Sequence, residues 1–207
     1  MGVISNGTTL LDAGALDSGV STGAMTLIKE LTASSSGTLS FVNGASSVVF
    51  DGTYKQYIFK YIDIHPGTDN VNFTFNLSVD SGSNYNVTKT TTFWEAYHNE
   101  GNTDTDLATA DSRDLAQSTA FQQLNGAGVQ DENDGSISGT FTIYNPASTA
   151  FVKHFMSTSE SNAHNGSYAW NGYMSGYGNT TSAVNAIQFK MSSGDIDAGT
   201  IKMYGIK

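Results

Sequence analysis

The sequence contains no cysteine, two prolines and only nine lysines and arginines in 207 residues. Each shortage removes possibilities. Without cysteine there are no disulfides, no thiolate metal sites and no cysteine nucleophile, so stability has to come from packing or from association of subunits. The few basic residues stand against 19 aspartates and glutamates, a net charge of −10. Affinity for nucleic acid comes chiefly from basic side chains displacing counterions, so a genome-binding role is disfavoured. No apolar run approaches the roughly 20 residues of a membrane-spanning helix. Residues 1–24 lack the basic start and continuous apolar block of a secretion signal, which points to synthesis in the cytoplasm. Catalytic signatures are missing too. There is no His-Glu-x-x-His and no Gly-x-Ser-x-Gly elbow, and the chain reads as non-enzymatic, with no cofactor.

What the chain does have is 22 glycines, 11 phenylalanines and 10 tyrosines among abundant Ser, Thr and Asn. That mixture describes short strands joined by polar turns. Val71 to Asp80 (VNFTFNLSVD) alternates Val71, Phe73, Phe75, Leu77 and Val79 with polar residues, and Tyr54 to Ile64 sets Tyr57, Phe59 and Tyr61 against Ile58, Lys60 and Ile62. Both have the period of two that a half-buried strand requires. Similar strands are expected over 25–33, 38–42, 87–98, 137–144, 150–158, 167–177 and 184–191. The closing segment Gly199 to Lys207 (GTIKMYGIK) places Ile201 and Met203 on one face and Thr200, Lys202, Tyr204 and Ile206 on the other, so it is expected inside a sheet. His65-Pro66-Gly67 and Asn145-Pro146 are turn signals. Residues 99–114 and 126–135 read as loops, and 116–124 as a short helix or an edge strand. The fold class expected is all-β, a jelly-roll or related Greek-key β-sandwich spanning residues 25–207 as a single domain, preceded by an extended N-terminal arm over 1–24. The arm has no sustained period, but its aliphatics Leu10, Leu11, Leu16 and Val20 are those expected to attach it to a neighbour.

Among residues that could carry chemistry, His65, His98, His154 and His164 have no metal-ligand spacing. Asp131-Glu132-Asn133-Asp134-Gly135 has carboxylates before a glycine, but its donors are adjacent and out of register with a calcium loop, which leaves a solvated acidic turn or a weak surface calcium site. No metal residues are assigned. The aromatic stretch Ser167 to Tyr177 (SYAWNGYMSGY) is the best candidate binding surface. Its Trp170, Tyr173 and Tyr177 read either as core or subunit interface, or as a platform on which sugars stack.

The strings VVFDGTY (48–54), SVDSGSNY (78–85), Phe155-Met156, SAVNAIQFKMSSG (182–194) and GTIKMYGIK (199–207) resemble those of a group of tailed-phage virion proteins common in marine phages. The resemblance covers about residues 38–207 and carries strand-and-turn strings, with no active site. It implies a jelly-roll-like domain located in the virion. There it would serve either as a capsid decoration protein, a homotrimer contacting the major capsid protein and copies of itself, or as a tail-fibre module that binds a host surface glycan. The short segment before the domain favours decoration.

Overall fold

The computed structural model describes residues 3–5, 8–12, 15–16, 24–163 and 167–207. Its strands are β1 (Val3–Ser5), β2 (Thr8–Asp12), β3 (Ala15–Leu16), β4 (Met25–Thr32), β5 (Leu39–Val42), β6 (Gln56–Pro66), β7 (Phe73–Ser78), β8 (Lys89–Asn99), β9 (Thr105–Thr109), β10 (Gln122–Gln123), β11 (Ile137–Tyr144), β12 (Lys153–Ala163), β13 (Tyr168–Gly178), β14 (Ala186–Met191) and β15 (Ile196–Ile206). A single turn of 3-10 helix lies at Asp111–Arg113.

The strands form an eight-stranded sheet in the order β4-β15-β6-β11-β12-β13-β8-β9, a four-stranded sheet β10-β7-β14-β5 and a three-stranded sheet β1-β2-β3. From β5 onward the chain passes back and forth between the two larger sheets, except that β8 runs on into β9 and β11 to β13 follow one another within the large one. The small sheet reads first, eighth, third, sixth, and the large one second, seventh, fourth, fifth, when β11–β13 count together as the seventh element. That is the order of a jelly roll. Here its seventh strand has become a three-stranded meander, and β15 and β4 extend the sheet beyond β6.

The two sheets face each other through aromatic side chains that the period of two turns inward. Phe59, Phe141 and Phe155 of the large sheet meet Phe41, Phe73, Phe75 and Phe189 of the small one, all at most 1% exposed. Ring centroids lie 4.4 Å apart for Phe75–Phe141 and 5.2 Å for Phe41–Phe59. Such pairs contribute about 0.5–1.5 kcal/mol each beyond the area they bury. The expected strands and their faces are met in β6 and β15, and in β7 for the inward Phe73, Phe75 and Leu77. Ile201 and Met203 are fully buried, and β15 is paired on both sides, with β4 and β6. Gly199, at φ +112°, forms the bulge at which β15 bends. A Cβ there would meet the backbone of Asp63 and Ile64, at 2.5 Å and 2.7 Å, so only glycine fits.

Several expectations are corrected. Residues 99–114 are not all loop, because β9 pairs with β8 at the edge of the large sheet. Four of its five residues are exposed, and a strand that packs on nothing carries no apolar pattern. The 150–158 strand is β12, which runs on to Ala163 with Ser157, Ser159 and Ser161 facing inward. Residues 116–124 are mostly irregular and supply only the two-residue β10. Val79, 38% exposed, lies past the end of β7. The polar face of β7 is itself covered: Thr74, Asn76 and Ser78 are buried, and Asn76 Nδ2 donates to the carbonyls of Tyr85 and Thr119. Within the arm, the described residues form β1, β2 and β3, which pair with one another.

Candidate functional site

The outer face of the large sheet carries the chemistry. In β8, Lys89, Thr91, Phe93 and Glu95 turn inward, which turns Thr92, Trp94, Ala96 and His98 outward. In β13, Trp170 and Met174 are buried, while Ala169, Asn171, Tyr173, Ser175 and Tyr177 occupy the alternate positions. Trp170 therefore does not share a face with Tyr173 and Tyr177. It is 8% exposed, stacks on Tyr97 with ring centroids 4.2 Å apart, and donates its indole N–H to Glu95 Oε2 at 2.7 Å. Glu95 Oε1 accepts from Arg113 at 2.8 Å.

Tyr173 finds a different partner. Its cross-strand neighbour Trp94 stacks on it, with ring centroids 3.9 Å apart and ring planes 4° from parallel, and Trp94 remains 42% exposed. The residues registered on the far side of each ring, Thr109 on β9 and Thr158 on β12, are small and exposed. Tyr177 sits further along β13, its ring 6.5 Å from that of His154, and its hydroxyl accepts from Gln117 Nε2 at 3.4 Å. Trp94 was not singled out from the sequence. The signal for it is the alternation of TTTFWEAYH, in which a buried Phe93 forces its neighbour outward.

Ala96, two residues along β8 from Trp94, and Ala169, four along β13 from Tyr173, line an open depression of ≈ 530 Å³, together with His98, Asp106, Leu107, Glu160 and Asn171. It adjoins a second of ≈ 460 Å³ that shares His98, Glu160 and Ala169 and reaches Ser138, Asn162 and Tyr168. Asn171 Nδ2 donates to Glu160 Oε2 at 3.3 Å. The surroundings are acidic. The Tyr168 hydroxyl donates to Asp104 Oδ2 at 2.9 Å, and that bond holds its pKa above the usual phenol value. Tyr97 is raised by desolvation and by Asp104, Asp106 and Glu95.

The other candidates are spread over the molecule. Leu11 of the arm is 37% exposed, Leu10 and Leu16 belong to β2 and β3, and Val20 and His164 lie outside the described residues. His65 Nε2 is 3.0 Å from the Glu132 carbonyl, and His98 Nε2 is 3.0 Å from Asn102 Oδ1. Among the described residues, a group able to hold a cation consists of Asp69, Asp131 and Glu132, all exposed, with ligand atoms within 4.8 Å of one another. Two lysines are wholly buried. Lys89 Nζ donates to Asn76 Oδ1 at 2.6 Å and to the Val87 carbonyl at 2.8 Å, and burial pulls its pKa down to about 7. Lys153 Nζ donates to the carbonyls of Phe151 and Thr180, with its pKa likewise lowered by burial. Enclosed by their acceptors, both serve the fold.

No protein-family model, no curated protein and no solved structure matches this chain. Among the described residues no helix is long and apolar enough to cross a membrane.

Proposed function

We propose that the chain is a non-enzymatic structural module of a tailed-phage particle, a decoration protein that coats the outside of the head as a homotrimer and contacts the major capsid protein through its N-terminal segment. The observation that carries this reading is the jelly-roll strand order, an architecture used by viral capsid and lectin domains. It agrees with the resemblance of the 182–194 and 199–207 strings to phage virion proteins. Fold alone does not fix function, but two surface features support an assembly role. The β1–β3 segment exposes Val3 and Ile4. On the large sheet Leu27, Tyr144 and Met156, and in the loop before β12 Phe151, are 39–70% exposed, the kind of apolar surface that protein contacts cover. Deleting residues 1–24 tests the attachment. The truncated protein is expected to keep the melting transition of the full chain while no longer entering particles. Loss of folding would place the segment in the core and end the reading.

A second reading, a receptor-binding module of a tail fibre, is favoured by the exposed Trp94–Tyr173 pair. Copy number per particle separates the two, with hundreds of copies meaning head and about a dozen meaning tail.

A further inference from the structure

We infer that the outer face of the large sheet around Trp94 binds a neutral oligosaccharide, with the Trp94–Tyr173 stack as one subsite and the depression over Ala96 and Ala169 as the next. Trp94 is large, apolar and 42% exposed, yet its orientation is fixed by face-to-face stacking on Tyr173. A ring so held offers a flat apolar face at little cost in conformational entropy. The residues registered with the two rings on their outer sides, Thr109 and Thr158, are small and exposed, and both are hydroxyl-bearing.

A pyranose needs this combination: an apolar patch for its C–H face, and groups beside it that accept from or donate to its hydroxyls. The second requirement is met two to four residues along the strands, about 7–14 Å away, within reach of the next one or two units of an oligosaccharide. There Ala96 and Ala169 leave room, and His98, Asn171 and Glu160 border it. The charge selects among sugars. Glu160, Asp104 and Asp106 lie around the site and the chain carries a net charge of −10, so sialylated or phosphorylated glycans and single-stranded nucleic acid, which also stacks on aromatic rings, are repelled. The inference concerns the isolated protein and holds whether the module sits on head or tail, so its failure would leave the copy-number result intact.

The test is a titration of the full-length protein with cellulose-, laminarin-, mannan- and chitin-type hexaoses, followed by tryptophan emission and by amide chemical shifts. A sialylated oligosaccharide and a single-stranded oligonucleotide are run beside them. At least one neutral hexaose is expected to bind saturably with a dissociation constant of about 1 mM or tighter. Trp94→Ala should weaken it about tenfold or more. So should Thr109→Arg, which keeps the indole and covers its free face from an exposed edge strand. Val79→Ala, at an exposed apolar residue past the end of β7, should leave affinity unchanged. The inference is overturned if none of the neutral hexaoses binds, if only the acidic glycan or the oligonucleotide does, or if binding survives Trp94→Ala and Thr109→Arg.

Discussion

The indole N–H of Trp170 donates to Glu95 Oε2 at 2.7 Å, while the other oxygen of the same carboxylate accepts from Arg113 at 2.8 Å. One buried acid thus ties β13 to β8 and to the 3-10 turn. Arg113 also lies over the Phe93 ring, 5.7 Å from its centroid. Replacing Glu95 with Ala removes the acceptor of both donors and leaves a largely desolvated guanidinium unpaired, an expected loss of about 3 kcal/mol. Glu95→Gln keeps an acceptor and should cost less. Gly126 backs the same indole, since a Cβ there would collide with Trp170 Cδ1 and Nε1. Gly126→Ala should therefore cost about 1–3 kcal/mol by overpacking. Urea denaturation of the three variants checks the order, and wild-type stability in Glu95→Ala would show the carboxylate to be dispensable.

Lys89 makes stability depend on pH in a defined direction. Its folded-state pKa is about 7, against 10.5 as the ordinary value. Between those pH values the unfolded chain holds the proton and the folded chain does not, so stability rises with pH. Below about 7 both states are protonated and the cost of enclosing the charge remains. Lys153, lowered by burial as well, acts in the same direction. The phenols of Tyr57 and Tyr61 are raised by burial, so the curve turns down above about pH 10, where unfolded tyrosines ionise. Melting temperature should climb from pH 7 to about 9.5, with the Lys89 contribution on the order of 2–5 kcal/mol. Lys89→Met should flatten most of that climb. A flat or falling wild-type curve over this range would contradict the burial argument.

The strands whose two faces meet different surroundings were legible in the sequence. Alternation in β6 and β15 reports a sheet with core on one side and solvent on the other, and Tyr57, Phe59, Ile201 and Met203 lie where it puts them. What alternation does not report is burial of a polar face. Thr74, Asn76 and Ser78 are buried, and Asn76 is satisfied by the carbonyls of Tyr85 and Thr119, which lie in irregular segments outside the sheet. Inward serines in β12 mislead for a similar reason: Ser157 Oγ is 3.0 Å from the Tyr61 hydroxyl, and Ser159 donates to the Leu124 carbonyl. Half of the candidate site was legible. Tyr173 could be found from its aromatic stretch, but Trp94, 79 positions away by subtraction of the two residue numbers, joins it only through the pairing of β8 with β13.

Self-association has a definite surface. Leu27, Tyr204, Ile58, Thr142 and Met156 are cross-strand neighbours in one row over β4, β15, β6, β11 and β12. Leu27 and Met156 are 50% and 54% exposed, and Phe151, at 70%, stands in the loop before β12. If trimers form through this row, sedimentation should give a trimer at micromolar concentration, and the pair Phe151→Ser with Met156→Ser should shift it toward monomer without lowering the monomer's melting temperature. A monodisperse wild-type monomer would remove the trimer from the proposal.

The closing strand gives the sharpest contrast between neighbouring residues. Ile201 is fully buried, pairs with Leu31 and Tyr61 on its two sides, and faces the aromatic core. An aspartate there would leave a charge, or a protonated carboxyl without designed partners, in an apolar interior. That costs several kcal/mol, a large part of the roughly 5–15 kcal/mol that holds a domain of this kind together. Lys202 points the other way and pairs with Glu30 at 3.2 Å on a partly exposed surface. Lys202→Asp loses that bridge and sets two acids against each other, for about 1 kcal/mol or less. Ile201→Asp should accumulate unfolded or insoluble while Lys202→Asp purifies with a melting temperature within a few degrees of wild type. A folded Ile201→Asp protein with a wild-type transition would mean that β15 can detach from the sandwich, and that β4, which is paired to the sheet through β15, detaches with it.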